Sequence, residues 1–414
     1  MSYNVDFEKV LQIGRPPNIV KKFPHSKALL VSGKVVDRAL AAKGGAMTIA
    51  ANGRNSFVIR GALQAAQRAD AALLIEIARS ESTYCAVNFY NIAMYVDAIC
   101  NEFGITIPVA VHADHYGLKS EADVPPAILE LPAMFDAGIT SIAVDASHME
   151  DDKNLLVNIA LNEYIPAWAG LETEVGEIKG DMGLSTVDDA SFLIRGLNAH
   201  GIFPDWIALN NGSSHGIEAS GQGIQVELTT AIHEALAPYG VAGAQHGTSG
   251  NNSEKLRAIA SSTRTTKANV ATALQMVSWG VEVNDYGNAI LDANGDFIKV
   301  KGAGVREDVW DQMTAYARKQ GWKSGDYKKL NLPFERILMA QEKEIRERMA
   351  KGVEEFVFNI LTSVFHAEGT GSLAKEAILQ AGSYDLGPKG KQIEDPVDWT
   401  REKIIERAKS LDVN

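Results

Sequence analysis

Cysteine is nearly absent: Cys85 and Cys100 are the only two in 414 residues. Two thiols cannot build a disulfide framework for a chain this long, so a reducing compartment is the simplest expectation. Excess positive charge is missing as well. Forty Lys and Arg stand against 52 Asp and Glu, giving a formal net charge of −12 and a pI near 5.3. No long basic run offsets that surplus, which argues against broad binding to nucleic acid or anionic membranes, although a small cluster of Arg or Lys can still hold an anionic substrate. No apolar run approaches the ~20 residues needed to span a bilayer. The segment Met1 to Lys9 has neither the basic start nor the apolar core of a signal peptide. A cytoplasmic protein without nucleic-acid or membrane partners is therefore expected.

What is present is enough for a large core, since 46% of the residues are hydrophobic. That length suits one large barrel with additions or two ordinary domains. The most informative stretch is Ile107-Pro-Val-Ala-Val-His-Ala-Asp-His115. Its apolar part lacks alternation, as a parallel strand covered on both faces does, and it runs directly into residues able to bind metal and move protons. Similar strands are predicted at Ala46 to Ala51, Ala71 to Ile77, Ser141 to Val144, Gly170 to Val175, Trp206 to Leu209 and Val241 to Ala244, with helices between them. The eighth is expected at Val281 to Val283, ending in Asn284 and Asp285. Eight buried strands separated by helices predict a (β/α)8 TIM barrel, whose strands all open at their carboxyl ends on one face. We expect a preface over residues 1–30, the barrel over 31–300, and C-terminal helices and a tail over 301–414 that pack on the barrel or a subunit interface.

The predicted strand ends collect polar residues: Asn52, Arg79, Asp114, His115, Asp145, Glu174, His215, His246 and Asn284. Three of the nine histidines follow three different strands. A Zn²⁺ held by His115, His215 and His246 would keep one tetrahedral position for substrate or water, as a catalytic zinc requires. Gly216, Gly247, Ser249 and Gly250 suit a phosphate cradle, because glycines let backbone N–H groups approach an anion and the serine adds a donor.

Four of these stretches carry a family resemblance. His112-Ala-Asp-His115, Leu171-Glu-Thr-Glu-Val-Gly176, Gly212-Ser-Ser-His-Gly216 and His246-Gly-Thr-Ser-Gly250 resemble the successive active-site motifs of the class II, zinc-dependent fructose-bisphosphate aldolases. Asp145-Ala-Ser-His148 is similar to a further motif of that family. The resemblance implies that His115, His215 and His246 hold the zinc, or another divalent metal, with Glu174 as an additional or alternative ligand. It also implies that Asp114 takes the proton from the hydroxyl whose carbon–carbon bond breaks. A second acid/base would come from the loop after strand five, where Glu177 and Asp181 are both candidates. A monovalent cation is a further family-level expectation.

The implied reaction is retro-aldol cleavage of a ketose phosphate in glycolysis and gluconeogenesis, foremost fructose 1,6-bisphosphate to dihydroxyacetone phosphate and glyceraldehyde 3-phosphate, by a homodimer or homotetramer. The metal would stabilise the enediolate and a carboxylate would accept the proton. Departures point instead to a different ketose phosphate or a modified sugar. The family's Asn-x-Asp-Thr after strand eight is read here as Asn284-Asp-Tyr-Gly287, which lacks the threonine. Arg54 and Arg79 are candidates for an alternative anion clamp, a guanidinium being able to bind phosphate through two parallel hydrogen bonds. A metallohydrolase is disfavoured, because Ala50-Ala-Asn-Gly53 on strand one lacks the expected His-x-His pair. A non-catalytic sugar-binding barrel is disfavoured by the retention of Asp114 with three histidines.

Overall fold

The computed structural model describes residues 6–176, 183–212, 223–248, 251–284 and 287–411. Eight parallel strands close into a barrel in sequence order. They are β1 Thr48–Asn52, β2 Leu73–Ala78, β3 Val109–Gly117, β4 Ser141–Asp145, β5 Gly170–Val175, β6 Trp206–Leu209, β7 Ala242–Gln245 and β8 Thr265–Val270. Closure is made by β8 pairing with β1, from Thr48 opposite Lys267 to Ala51 opposite Val270. β1, β2, β4, β5, β6, β7 and β8 are buried along their whole length, which is why strands such as β2 and β6 read as uninterrupted apolar runs.

The eighth strand corrects the sequence reading. It is Thr265-Thr-Lys-Ala-Asn-Val270, not Val281 to Val283. The strand was hidden because it carries a lysine and an asparagine where a core strand is expected to be apolar. Lys267 is fully buried, and its ammonium is held by Glu172 at 2.8 Å and Glu76 at 3.4 Å, both from other barrel strands. Val281 to Asn284 instead lies beyond the helix Thr272–Trp279, in antiparallel bridges with Lys299 and Ala289. Asn284 accepts from the Asn288 backbone there, in a turn that follows the helix and belongs to no barrel strand.

The amino-terminal rim is sealed by the helix Gly33–Lys43, which begins against the barrel floor. A Cβ on Gly33 would lie 2.5 Å from Ser141 Oγ and 3.1 Å from the Trp206 ring, so only glycine permits this approach. Asp37 on that helix accepts from Thr266 at 2.7 Å and pairs with Lys389 of the tail. The tail goes on to Glu394, which takes two hydrogen bonds from Arg195, at 2.7 and 3.1 Å.

A second apolar cluster stands beside the barrel, built from Trp279, Val305, Trp310, Met313, Tyr327, Leu330 and their neighbours. Two helices, Asn331–Met339 and Lys343–Asn359, flank this cluster with a break between them. At the break, Gln341 is buried and its side chain accepts from the Arg306 backbone, a tertiary contact that no local pattern announces. No helix among the described residues is long and apolar enough to cross a membrane.

Candidate metal and proton-transfer site

Strand alternation sends residues two apart to the same face. His112 and Asp114 on β3, Glu172 and Glu174 on β5, and Lys267 and Asn269 on β8 are three such pairs, all buried and in mutual contact. The barrel interior is therefore an ionic network where such barrels usually hold branched apolar side chains. Lys267 is its only ammonium among the described residues; burial works to lower its pKa, but Glu172, Glu76 and Asp114 together raise it. His112 is driven the other way, by burial and by the Lys267 charge, and stays neutral with Nδ1 2.8 Å from Ser141 Oγ.

His115 reaches the same space by a different device. The pairing of β3 with β4 slips by one residue between Ala113 and Tyr116, and His115 takes φ of +41°. Such a bulge re-aims a side chain. A left-handed non-glycine residue costs of order 1–3 kcal/mol and persists only where its surroundings enforce it. Its effect here is that consecutive residues, Asp114 and His115, both serve the site.

The imidazoles of His115 and His246 meet edge to face, their ring centroids 4.4 Å apart. Glu174 stands between them, with Oε1 3.1 Å from His115 Nδ1 and Oε2 3.9 Å from His246 Nδ1. Asp145 Oδ2 lies 3.3 Å from His115 Nδ1. Asp114, His115 and His246 each offer a donor atom within 4.8 Å of the others, as do His115, Asp145 and Glu174. Two imidazole nitrogens and a carboxylate converging from three strand ends form a donor set that suits Zn²⁺, so the residues present fit the metal that the motifs imply. His215, the third expected histidine, lies outside the described residues, as do Gly216, Glu177, Asp181, Ser249, Gly250 and Asp285.

Charge in the cluster is tightly shared. Burial, followed by the neighbouring Asp145, lifts Glu174 to about 8. Burial would lower His115, but Glu174 and Asp114 raise it well above the usual imidazole range. Burial would likewise lift Asp114; the charges of His115 and Lys267 outweigh it, so its carboxyl sits below the ordinary value and is ionised at neutral pH. Asp114 Oδ1 accepts from Asn269 Nδ2 at 2.8 Å, which fixes its orientation.

A cavity of about 860 Å³ opens over this cluster, and Asp114, His115, Asp145 and His148 form part of its wall. Asn52, Arg54, Arg79 and Gly247 also line it. Arg54 is buried, with Nε 2.6 Å from Glu81 Oε1 and Nη1 near Gln275. Asn52 donates to the other Glu81 oxygen at 2.7 Å. Arg79 stacks on Tyr116, 4.5 Å from the ring centre, and reaches Glu130 at 3.1 Å. Thr272 and Lys328 are among the wall residues that the sequence reading did not single out.

The family model described as "Fructose-bisphosphate aldolase class-II" matches residues 35–359, which is most of the chain. The chain belongs to the class II fructose-bisphosphate aldolase family. Among its relatives, a fructose-bisphosphate aldolase of Streptococcus pneumoniae is 27% identical over 224 residues, covering 52% of this chain and 69% of that protein. A Staphylococcus aureus protein of the same description is 30% identical over 119 residues, or 28% of this chain and 38% of the relative. The staphylococcal matches thus span well under half of those proteins. In fold, the chain is similar to the YdjI aldolase of Escherichia coli K12, with a TM-score of 0.55 at 15% identity, covering 83% of this chain and 99% of that one. It is also similar to a fructose-bisphosphate aldolase of Campylobacter jejuni, with a TM-score of 0.53 at 19% identity, covering 82% and 97%.

Placing β8 correctly also changes how the family pattern is read. The strand closes on Asn269-Val270 and runs on into Ala271-Thr272, which matches the asparagine and threonine of Asn-x-Asp-Thr with Ala271 in the acidic position. In this register the threonine of the pattern is present as Thr272, and alanine stands in place of its acid. The pattern itself was the signal that could have revealed β8.

Proposed function

We propose that this protein is a metal-dependent aldolase that reversibly cleaves a ketose phosphate. Fructose 1,6-bisphosphate, giving dihydroxyacetone phosphate and glyceraldehyde 3-phosphate, is the first substrate to test. The observation that carries the reading is the junction of an ionised, oriented carboxylate, Asp114, with His115, whose imidazole shares Glu174 with that of His246. His115, His246 and Glu174 would hold the metal, together with His215. A bound Zn²⁺ would supply Lewis acidity toward the ketose carbonyl and the negative charge that develops there.

The protein's own residues account for the proton movements. Asp114 accepts the hydroxyl proton as the adjacent carbon–carbon bond breaks; the hydroxyl carbon becomes the aldehyde and the bonding pair passes to the enediolate half. A second acid, Glu177 or Asp181 in this reading, gives a proton to the enediolate carbon that received the bonding pair. Asn269 keeps Asp114 aimed, and the water-poor barrel interior strengthens each of these contacts.

The cavity's cations support an anionic substrate. Lys328 forms no ion pair with another described residue, although Tyr84 stacks beneath it at 5.7 Å. Burial, then the Arg54 charge beside it, lowers its pKa, as expected for a cation short of a counter-ion. A phosphorylated or otherwise modified ketose other than the bisphosphate is the second reading, favoured by Ala271 at the position where the family carries an acid. Product analysis of zinc-loaded protein on a panel of phosphorylated and unphosphorylated ketoses separates the two. Carbon–carbon cleavage of the bisphosphate supports the first; cleavage confined to another ketose supports the second; hydrolysis or no product refutes both.

A further inference from the structure

Glu172 belongs to the Leu171-Glu-Thr-Glu motif, yet neither the metal donor set nor the proton transfers give it a role. It is completely buried on β5. Its Oε1 lies 2.8 Å from His246 Nε2, and its Oε2 lies 2.8 Å from Lys267 Nζ. The same Oε2 is 3.5 Å from His112 Nε2. A carboxylate held at both oxygens inside a closed barrel has no freedom to turn. It therefore fixes what the His246 ring does.

We infer that Glu172, clamped by Lys267, is a positioning residue that sets the tautomer and orientation of His246 so that Nδ1 is its metal-binding nitrogen. A neutral imidazole carries one N–H and one lone pair. An Nε2–H donated to Glu172 leaves the lone pair on Nδ1, the atom turned toward Glu174 at 3.9 Å and so toward His115. Ligating histidines are commonly oriented by a carboxylate on the other ring nitrogen, and loss of that partner costs about 10–100-fold in metal affinity. Here the carboxylate is itself anchored by a buried ammonium from β8. Lys267 also stands 3.9 Å from Asp114, so one cation braces both the ligand-orienting and the proton-accepting carboxylate.

This inference rests on the metal-dependent reading of the site, and its test reads metal and ring nitrogen, not turnover. In the whole zinc-loaded chain with ¹⁵N-labelled histidine, two-bond ¹H–¹⁵N spectra should show His246 protonated at Nε2 and coordinated through Nδ1. Glu172→Gln should weaken Zn²⁺ binding about 10–100-fold in competition with a chromophoric chelator, and Lys267→Met should weaken it in the same direction. Coordination through Nε2 in the unmutated protein overturns the inference even if neither variant folds. So does a folded Glu172→Gln variant that binds Zn²⁺ within twofold of the parent with an unchanged His246 spectrum. Failure of the unmutated protein to take up Zn²⁺ refutes the metal-dependent reading, and this inference with it.

Discussion

Replacing Asp114 by Asn is the most informative single change, because it removes a base while leaving almost everything else in place. The side chains have the same shape, so no cavity opens at this buried position. The amide oxygen can still accept the 2.8 Å hydrogen bond from Asn269. Lys267 loses a partner at 3.9 Å but keeps Glu172 at 2.8 Å and Glu76 at 3.4 Å. The fold should therefore lose only about 1 kcal/mol, well short of the ~3–5 kcal/mol for stripping a buried charge of its sole partner. Turnover should fall by about 10²–10⁴-fold, the usual worth of a positioned general base. That corresponds to roughly 3–5 kcal/mol on the barrier. Steady-state cleavage of the ketose phosphate, with zinc content measured on the same preparation, tests this. A kcat within tenfold of the parent at full metal occupancy would refute the role, as would loss of metal with activity restored on reloading.

Three further outcomes follow from particular contacts. Lys328→Ala should raise KM for a phosphorylated ketose about tenfold or more, and hardly at all for the unphosphorylated analogue, whereas Arg79→Ala, already engaged by Glu130 and Tyr116, should discriminate less; equal KM changes on both substrates would show that Lys328 does not read the anion. Gly33→Ala should destabilise the barrel by about 1–3 kcal/mol, since its Cβ would lie 2.5 Å from Ser141 Oγ; an unchanged urea midpoint would contradict the packing. Glu394 is held at about 2, first by its hydrogen bond from Arg195 and then by Tyr239 and Trp399. The stability it adds is present above the ordinary carboxylate value and lost as pH falls through 2. With Arg195 partly exposed, this amounts to only about 1 kcal/mol. Glu394→Gln should thus lower the melting temperature at pH 7 and have no effect near pH 2.

Seven of the eight barrel strands were legible, most of them because their residues are apolar and buried on both faces, as with Ser141–Asp145 and Trp206–Leu209, and the polar β5 because it carries the Leu171-Glu-Thr-Glu motif. β8 was not, because Lys267 and Asn269 are satisfied only by Glu172, Glu76 and Asp114 from distant strands, and no local pattern reveals such partners. Misplacing β8 put Asn284 at a barrel strand end, whereas it lies in a turn beyond the helix Thr272–Trp279. His115 and His246 are indeed brought together with Glu174, as strand ends on one face must be. The bulge that aims His115 left no trace in the sequence, since it arises from how β3 and β4 register. Arg54 is at the cavity, but its pairing with Glu81 depends on the loop after β2, again beyond local reach. Lys328 escaped notice because its neighbours Tyr327 and Leu330 are buried in a cluster separate from the barrel core.

The most direct measurement is cleavage by the same protein before and after metal removal. Chelation to verified metal-free protein should abolish carbon–carbon cleavage of the ketose phosphate, and stoichiometric Zn²⁺ should restore it. Borohydride added with substrate should trap no Schiff base, because the proposed mechanism uses a metal held by His115, His246 and Glu174 in place of a lysine. Full activity in the metal-free protein, or a borohydride-trapped adduct on a lysine, would contradict a metal-dependent aldolase.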